Sequence, residues 1–250
     1  MKFYAAKLIN STLGKVIRLF QGMLLINQKH KLTDLVHNLY AQSSADYALQ
    51  NMSKAMVLLD RPALYNYCIE KIKEKSLDSD SHGNQLQETI LEFGVYKGGS
   101  INYFAKRLPD IKFVGFDSFE GLEEDWTGTF LGRNALTVHG VLPRVMKNVE
   151  LRKGWFVDTL PTYLSEFREK QPLYRLVNID CDTYKPTRFI LEQLQNYMHP
   201  GLIIIFDEYF NYINWPEHEF AAFAEFTKAR NIKYNYIAYT DTTSVAIEIV

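Results

Sequence analysis

The chain has 250 residues, of which 47% are hydrophobic, and its 28 basic and 29 acidic side chains give a formal net charge of −1. This balance lacks the basic surface of nucleic-acid-binding proteins, and the apolar content argues against a disordered chain, so we expect one α/β domain with an appendage and no nucleic-acid partner. Its two cysteines, Cys68 and Cys181, are far apart without a C-x-x-C spacing, which argues against a disulfide framework and favours a reducing, cytoplasmic setting.

The N-terminal segment, residues 1–40, is predicted to be an amphipathic helical extension. Its basic residues are spread along it and no small-residue cleavage site follows an apolar block, so we expect no signal peptide. No apolar run in the sequence reaches the ~18 residues needed to span a bilayer. We expect the helix at residues 3–26 to pack on the protein body or on a second subunit of a homo-oligomer. Contact with a membrane surface is the alternative.

Residues 41–80 are predicted to form a helical cap. Apolar residues recur there at spacings of three and four, and Pro62 marks the expected break between two helices. No strand-like run occurs before about residue 76, so no strand is expected in this part. A Ser- and Asp-rich stretch, residues 76–85, is interpreted as a surface loop in front of the main domain.

Strand and helix patterns alternate through residues 81–250, which predicts a doubly wound α/β fold. We expect a mostly parallel sheet with helices on both faces and one antiparallel strand near the C-terminus. The predicted strands lie at 88–95, 111–118, 148–156, 174–182, 201–209, 233–240 and 243–250. The predicted helices lie at 100–109, 159–170, 186–199 and 216–231.

A glycine-rich loop follows the first of these strands in "LEFGVYKGGS". Ligands of doubly wound sheets bind outside the carboxyl ends of the strands, so this loop is a candidate cofactor site. A dinucleotide fingerprint would place glycine two residues after Gly94, where Tyr96 stands, so NAD and FAD match poorly. Glycines would let a ligand approach the backbone closely, and the following helix offers free N–H groups to an anion.

Glu92, the last acid of that strand, favours S-adenosylmethionine, because a carboxylate repels a phosphate but attracts an ammonium group. In this interpretation Glu92 binds the amino group of the cofactor, and Gly98, Gly99 and Ser100 bind its carboxylate. Asp117, at the end of the next strand, would accept hydrogen bonds from both ribose hydroxyls. The alternative is that Glu92 and Asp117 are strand-end acids that cap turns.

Two further residues complete the predicted cofactor site. Ser118 follows Asp117 directly, and Trp155 is expected to pack near the adenine. Ordinary core packing is the alternative for Trp155.

Acids also end the two later strands, in "NIDCDTY" and "IIIFDEYF". We expect these strands to be neighbours, about 5 Å apart, so that Asp180, Asp182, Asp207 and Glu208 gather at one edge. Clustered carboxylates stay ionised together only with a cation, and oxygen ligands suit Mg²⁺, Mn²⁺ or Ca²⁺. The alternatives are a helix cap for Asp182 and solvent exposure for Glu208.

Five stretches of the chain, from about residue 45 to the end, carry a family likeness: "LEFGVYKGGS", "VGFDSFEGLEEDW", "KGWFVDTLP", "NIDCDTY" and "GLIIIFDEYFNY". Together they resemble the macrocin O-methyltransferase (TylF/MycF-like) family of class I S-adenosylmethionine-dependent methyltransferases. The resemblance implies a Rossmann-like methyltransferase domain and Mg²⁺-dependent O-methylation of a sugar or a similar natural product or polysaccharide. The metal ligands of the family fall on Asp180, Asp207 and Glu208. Two positions depart from its pattern: Cys181 stands where glycine is frequent, and Glu208 where a second Asp is usual.

The expected reaction is an in-line displacement at the methyl group, for which the acceptor hydroxyl must lose a proton. Asp180, beside both the metal and the cofactor, is the first candidate for the base, and His218 is the second. The alternative for His218 is a solvent-facing histidine at the start of a helix. Residues 118–134 are interpreted as a lid over a small-molecule or glycan acceptor. The competing interpretations are a metal-dependent hydroxylase or hydrolase and a non-catalytic S-adenosylmethionine-binding protein.

Overall fold

The computed structural model describes residues 31–79, 86–167 and 172–250. The helices are α1 (Leu32–Asn51), α2 (Arg61–Ser79), α3 (Gly99–Arg107), α4 (Phe156–Ser165), α5 (Tyr184–Gln193) and α6 (Glu219–Arg230), with short 3-10 turns at Gln195–Tyr197 and Trp215–Glu217. The strands are β1 (Met56–Leu58), β2 (Glu88–Phe93), β3 (Lys112–Asp117), β4 (Val149–Lys153), β5 (Leu173–Ile179), β6 (Ile203–Phe206), β7 (Tyr234–Thr240) and β8 (Val245–Ile249). The predicted helix at 3–26 lies outside the described residues.

All eight described strands form one sheet in the order β1-β7-β8-β6-β5-β2-β3-β4. Every pairing is parallel except those of β8, which runs antiparallel to both β6 and β7. The predicted doubly wound α/β fold with one antiparallel strand near the C-terminus is confirmed. The strand order reverses beside β2 and β5, which is where a ligand site is expected in such a sheet.

Two local predictions are wrong. The stretch before residue 76 does contain a strand, because Met56–Leu58 pairs in parallel with the outer strand β7. Three residues are too few to show an alternating pattern, so this edge strand depends on its long-range partner. The strand predicted at 148–156 ends at Lys153, where Gly154, with φ of 144°, turns the chain into α4.

The core consists of two apolar layers, one on each face of the sheet, and alternate residues of a strand belong to different layers. Leu91, Ile204 and Phe206 face the layer that contains α4, α5 and α6 side chains. Ile90 and Ile205 face the layer formed with α2 and α3. Because both faces of β6 are covered, all four of its residues are buried, which explains its unbroken apolar sequence.

Among the described helices, none combines the length and the apolar character needed to cross a membrane.

Candidate active site

The carboxyl ends of β2, β5 and β6 lie side by side, as predicted. Ile179 is the register partner of Phe206, so the residues that follow them, Asp180 and Asp207, leave the sheet next to each other. Backbone hydrogen bonds continue beyond the strands, from the Asp180 N–H to the Phe93 carbonyl at 2.9 Å and from the Asp207 N–H to the Ile179 carbonyl at 3.0 Å. The backbone hydrogen bonds of the sheet therefore fix the backbone positions of Asp180 and Asp207.

Asp180, Asp207 and Glu208 form one cluster, in which one carboxylate oxygen of each lies within 4.8 Å of the others. Ser244, at the start of β8, donates a hydrogen bond to Asp207 Oδ1 at 2.9 Å. The Arg61 guanidinium pairs closely with Asp207 Oδ2, and its distance to Asp180 Oδ2 is 3.9 Å. The sequence interpretation of three neighbouring acids thus agrees with the geometry, and it missed Arg61.

The electrostatics of the cluster show a shortage of positive charge. Burial, and secondly the charge of Asp207, raise the pKa values of Asp180 and Glu208 well above their usual range. Glu208 Oε2 is a buried oxygen without a hydrogen-bond partner in the described protein. Three close carboxylates, one of which has an unpartnered oxygen, match the ligand preference of Mg²⁺ or Mn²⁺, so the residues present fit a hard divalent cation.

Glu219, the first residue of α6, is a functional candidate that the sequence interpretation missed. It is fully buried and accepts backbone N–H groups of Cys181 at 3.4 Å, Asp182 at 3.2 Å and Glu208 at 3.2 Å. One carboxylate therefore ties the loop after β5 to the loop after β6. Nothing in the local sequence distinguishes it from other acids at helix starts, because all three donors are distant in the chain.

Asp182 lies beside this carboxylate and is not one of the three clustered acids. Its backbone has φ of 70°, and its side chain is buried. Burial raises its pKa to about 7. The N-terminal cap position of α5 is occupied by Thr183, so the helix-cap interpretation of Asp182 is wrong.

Glu92 is buried and turned into the protein rather than toward open space. It accepts hydrogen bonds from Ser100 Oγ at 2.8 Å and from Asn178 Nδ2 at 3.1 Å. Burial raises its pKa to about 8 despite these donors. Glu92 therefore fixes the first turn of α3 against β5. Both of these hydrogen bonds come from protein side chains, so they do not represent the predicted contact with the amino group of a cofactor.

The glycine loop between β2 and α3 brings the backbone close to the acid cluster. Gly94 has φ of 91°, and a Cβ there would lie 1.7 Å from the Asp180 carbonyl oxygen, so only glycine fits. At Gly99 a Cβ would meet nothing within 4 Å, which means that the backbone at the start of α3 faces open space. Gly98 precedes it with φ of 77° and is the N-cap residue of this helix.

Asp117, at the end of β3, holds the same loop from the other side. Its Oδ2 accepts the N–H groups of Val95 at 2.8 Å and Tyr96 at 2.7 Å, and its Oδ1 accepts that of Phe119 at 2.6 Å. Ser118 Oγ accepts the Glu120 N–H at 3.1 Å. Asp117 is only half-buried, so it both orders the loop and remains accessible beside it.

Trp155 lies next to this region, because the preceding Gly154 donates its N–H to the Asp117 carbonyl at 2.9 Å. Its side chain is 37% exposed and belongs to neither apolar layer, so the alternative of core packing is wrong. A large aromatic face is thus left open beside the ends of β3 and β4.

His218 is buried and does not join the acid cluster. Its Nε2 donates to the Thr127 carbonyl at 2.9 Å, and its ring lies nearly parallel to that of Tyr212. The solvent-facing interpretation is wrong. Because Nε2 is the proton donor in this contact, His218 fastens residues 118–134 to the Trp215–Glu217 turn, and its candidacy as the base loses support.

The segment predicted as a lid, residues 118–134, is packed onto the domain over much of its length. Leu122 and Trp126 are buried in the layer that contains α4, α5 and α6. Backbone hydrogen bonds from Trp126 to the Leu131 carbonyl, at 3.0 Å, close its tip, where Phe130 is 98% exposed. Only the tip presents a large apolar side chain to solvent.

Tyr65, on α2, is a second residue that the sequence interpretation missed. Its ring is buried, and its hydroxyl has no hydrogen-bond partner in the described protein. Burial first, and then the charges of Asp207, Asp180 and Glu92, raise its pKa. A phenol four residues after Arg61 is thus affected by the charges both of Glu92 on β2 and of the acids of the cluster.

Comparison with known proteins finds a methyltransferase-domain match within the chain. Residues 91–209 match the family model Methyltransf_24, described as a methyltransferase domain. An 8-demethyl-8-(2,3-dimethoxy-alpha-L-rhamnosyl)-tetracenomycin-C 4'-O-methyltransferase of Streptomyces olivaceus is 26% identical over 183 residues, which cover 64% of each chain. The match therefore spans just under two thirds of that relative's length.

Two solved structures share the fold. The structure of CalS11, calicheamicin methyltransferase, superposes with a TM-score of 0.58 at 22% identity, covering 91% of this chain and 89% of the other. An apo structure of CalS11, described as a TDP-rhamnose 3'-O-methyltransferase, gives a TM-score of 0.50 at 21% identity, with 86% and 92% covered. The chain therefore has the fold of these methyltransferases, and its residues 91–209 match the methyltransferase-domain model.

Proposed function

We propose that this chain, which carries a class I methyltransferase domain, transfers a methyl group from S-adenosylmethionine to a hydroxyl of a sugar or glycosylated natural product or polysaccharide with the help of Mg²⁺. The observation that carries the proposal is the convergence of Asp180, Asp207 and Glu208 within 4.8 Å, at the same sheet edge as an open glycine loop. A site for methyl transfer needs a cofactor half and an acceptor half in contact. The backbone contact of Gly94 with Asp180 joins these two halves.

The cofactor half is assigned to β2, β3 and β4. The backbone N–H groups of Gly99 and Ser100 would bind the cofactor's carboxylate, which the open space at Gly99 permits. Gly98 donates its own N–H to the Val95 carbonyl at 2.7 Å and so would shape the turn beside the cofactor. Asp117 and Ser118 would lie at the ribose, and the exposed ring of Trp155 at the adenine. Glu92 would stabilise the cofactor half indirectly, because it accepts the hydrogen bond of Ser100 Oγ and so holds Ser100 in place. This arrangement leaves the reactive end of the cofactor at Asp180.

The acceptor half is assigned to β5 and β6. Asp180, Asp207 and Glu208 would hold the divalent cation, which when bound would orient an acceptor hydroxyl and lower its pKa. Asp180 remains the first candidate for the base, because its side chain is 25% exposed and its raised pKa lets a carboxylate hold a proton. Glu219 keeps the two ligand loops together. His218 is assigned to anchoring the lid through Thr127.

The sugar acceptor is supported by two similar proteins, whose names describe methyltransferases of a rhamnosyl-tetracenomycin and of TDP-rhamnose. Vicinal hydroxyls of such sugars can chelate one cation, so an acid cluster is a suitable partner for them. The finer assignment to the macrocin O-methyltransferase group rests on the five sequence stretches alone. The unpartnered hydroxyl of Tyr65 is available to donate to an oxygen of the bound acceptor.

Calorimetry and a transfer assay test the proposal separately. S-adenosylhomocysteine should raise the melting temperature, and Mg²⁺ should raise it further. Label from methyl-tritiated S-adenosylmethionine should then appear on a member of a panel of rhamnose-containing acceptors, free and nucleotide-linked. No melting shift with S-adenosylhomocysteine would overturn the cofactor assignment. Transfer that continues at full rate in EDTA would overturn the metal assignment and leave methylation intact.

A further inference from the structure

Arg61 is the residue whose position the proposed reaction does not use. It starts α2, where Asp60 Oδ1 accepts the Ala63 N–H at 2.8 Å and so caps the helix start. Its guanidinium pairs with Asp207 and lies 3.9 Å from Asp180, which are two of the three proposed metal ligands. Within residues 31–79, 86–167 and 172–250, no other basic side chain forms an ion pair with either acid.

The oxygens of Asp207 are both engaged. Oδ1 accepts from Ser244 Oγ at 2.9 Å, and Oδ2 is the partner of Arg61. Asp207 is buried, so water cannot replace a missing partner freely. A cation that binds between Asp207 and Asp180 must therefore take the position that the guanidinium holds, because two positive groups cannot share it at contact distance.

The geometry points to Arg61 as a resident cation of this site, which the divalent metal displaces when it binds; this inference rests on the proposed function. Arg61 balances part of the negative charge of the cluster in the metal-free protein, and the site exchanges one guanidinium for one metal ion. The acids thus stay together at the sheet edge before the metal arrives. The affinity for metal is correspondingly weakened, since part of the binding free energy replaces an existing ion pair.

Displacement requires only a side-chain movement. The Arg61 side chain is 49% exposed, so its guanidinium can turn into water. The helix that carries it is anchored by Leu64, Cys68 and Ile72, which are completely buried. Because the backbone of α2 stays packed, exchange at Arg61 leaves the rest of the site in place.

Arg61→Gln tests the inference with the metal alone. Titration of the full chain with Mg²⁺ and with Mn²⁺ by calorimetry should give binding about tenfold tighter than in the wild type, because the competing charge-assisted contact is gone. The matched control is Arg107→Gln, which removes the same charge from an arginine that contacts Tyr103 on α3. The control should bind metal as the wild type does.

Melting curves supply the second measurement. In EDTA, Arg61→Gln should melt below the wild type, because the acids have lost their counterion; with saturating Mg²⁺ the two should melt together. Arg61→Lys keeps the positive charge but lacks the planar guanidinium, so its metal affinity and its melting temperature should lie between those of the wild type and Arg61→Gln. This variant replaces Arg61→Gln in the test if Arg61→Gln does not fold.

Three outcomes overturn the inference. If the wild type binds Mg²⁺ and Arg61→Gln binds it no more tightly, Arg61 is not a competitor, and the proposed metal site survives. Tighter binding with unchanged melting in EDTA would mean that Arg61 acts at a distance and does not occupy the site. If neither protein binds Mg²⁺ or Mn²⁺, the proposed metal site and the inference fall together.

Discussion

The two halves of the site differ in how well their acids are satisfied. On the cofactor half, Asp117 accepts three backbone N–H groups and Glu92 accepts from Ser100 and Asn178. On the acceptor half, burial and mutual repulsion raise the pKa values of Asp180 and Glu208, and a buried Glu208 oxygen has no partner among the described residues. The acids of the proposed cofactor half are therefore held by donors of the protein itself, whereas those of the proposed acceptor half lack positive charge, as the proposed cation site requires.

The largest expected effect comes from breaking the acceptor half. Asp207→Asn removes a ligand charge, so turnover should fall by about a hundredfold or more, because metal assistance contributes several kcal/mol to transition-state stabilisation. Binding of S-adenosylmethionine should stay nearly unchanged, since the cofactor half does not depend on this acid. Parallel measurements of transfer rate and calorimetric affinity check both parts. Asp241→Asn, an exposed aspartate on the turn between β7 and β8, is the control.

If the affinity of Asp207→Asn for S-adenosylmethionine fell as much as its transfer rate, cofactor binding would depend on Asp207, and the proposed division into two halves would be wrong. EDTA should reproduce the variant's loss of rate in the wild type, and added Mg²⁺ should reverse it. Glu208→Asp should lose less, because it keeps a carboxylate at the position of the proposed ligand.

The pH dependence of stability is the next effect in size. Glu92 has a pKa raised to about 8 and Asp182 one raised to about 7, both chiefly by burial. In the unfolded chain both groups lose their protons near pH 4, while the folded chain keeps them, so the free energy of unfolding falls as pH rises from about 5 to 8. The melting temperature measured in EDTA should therefore be highest near pH 5 and decline toward pH 8.

Mg²⁺ should flatten this decline only in part, because it stabilises the ionised acids of the cluster and does not contact Glu92. Glu92→Gln should remove the share of Glu92 from the slope in EDTA. A melting temperature that rises between pH 5 and pH 8 without metal would contradict the burial of these acids in protonated form.

A substitution in the proposed cofactor half should weaken the binding of S-adenosylmethionine. Asp117→Ala leaves three N–H groups of the loop without their acceptor, and it removes the proposed contacts with the ribose. S-adenosylmethionine affinity should weaken by roughly 1–3 kcal/mol, the scale of charge-assisted hydrogen bonds. Calorimetry with S-adenosylhomocysteine measures it, and Asp110→Ala, an exposed aspartate before β3, is the control. Equal affinities for the two variants would remove Asp117 from the site.

The difference between the halves also explains what the sequence could predict. The alternation of strands and helices, the glycine loop and the acids at the strand ends follow from local patterns, because strand ends and glycines are visible in a single stretch of chain. The contributions of Arg61 and Tyr65 could not be predicted, since both residues lie on a helix more than 100 residues before Asp180 and Asp207. Burial of Glu92 and Glu219 was missed for the same reason, because their hydrogen-bond donors come from other elements.

The smallest expected effect concerns Tyr65, whose hydroxyl is affected by the charges of acids in both halves. Tyr65→Phe keeps the ring that packs on Phe104, with centroids 4.6 Å apart, and removes only the hydroxyl that has no partner in the described protein. A buried unpaired hydroxyl is unfavourable, so the free energy of unfolding should stay equal or rise by up to about 1 kcal/mol. Tyr209→Phe is the matched contrast, because its hydroxyl bonds that of Tyr236 at 2.6 Å, and it should cost about 1 kcal/mol. Urea denaturation of both variants checks this. If Tyr65→Phe cost as much as Tyr209→Phe, the Tyr65 hydroxyl would have a partner within the protein and would not be free for an acceptor oxygen.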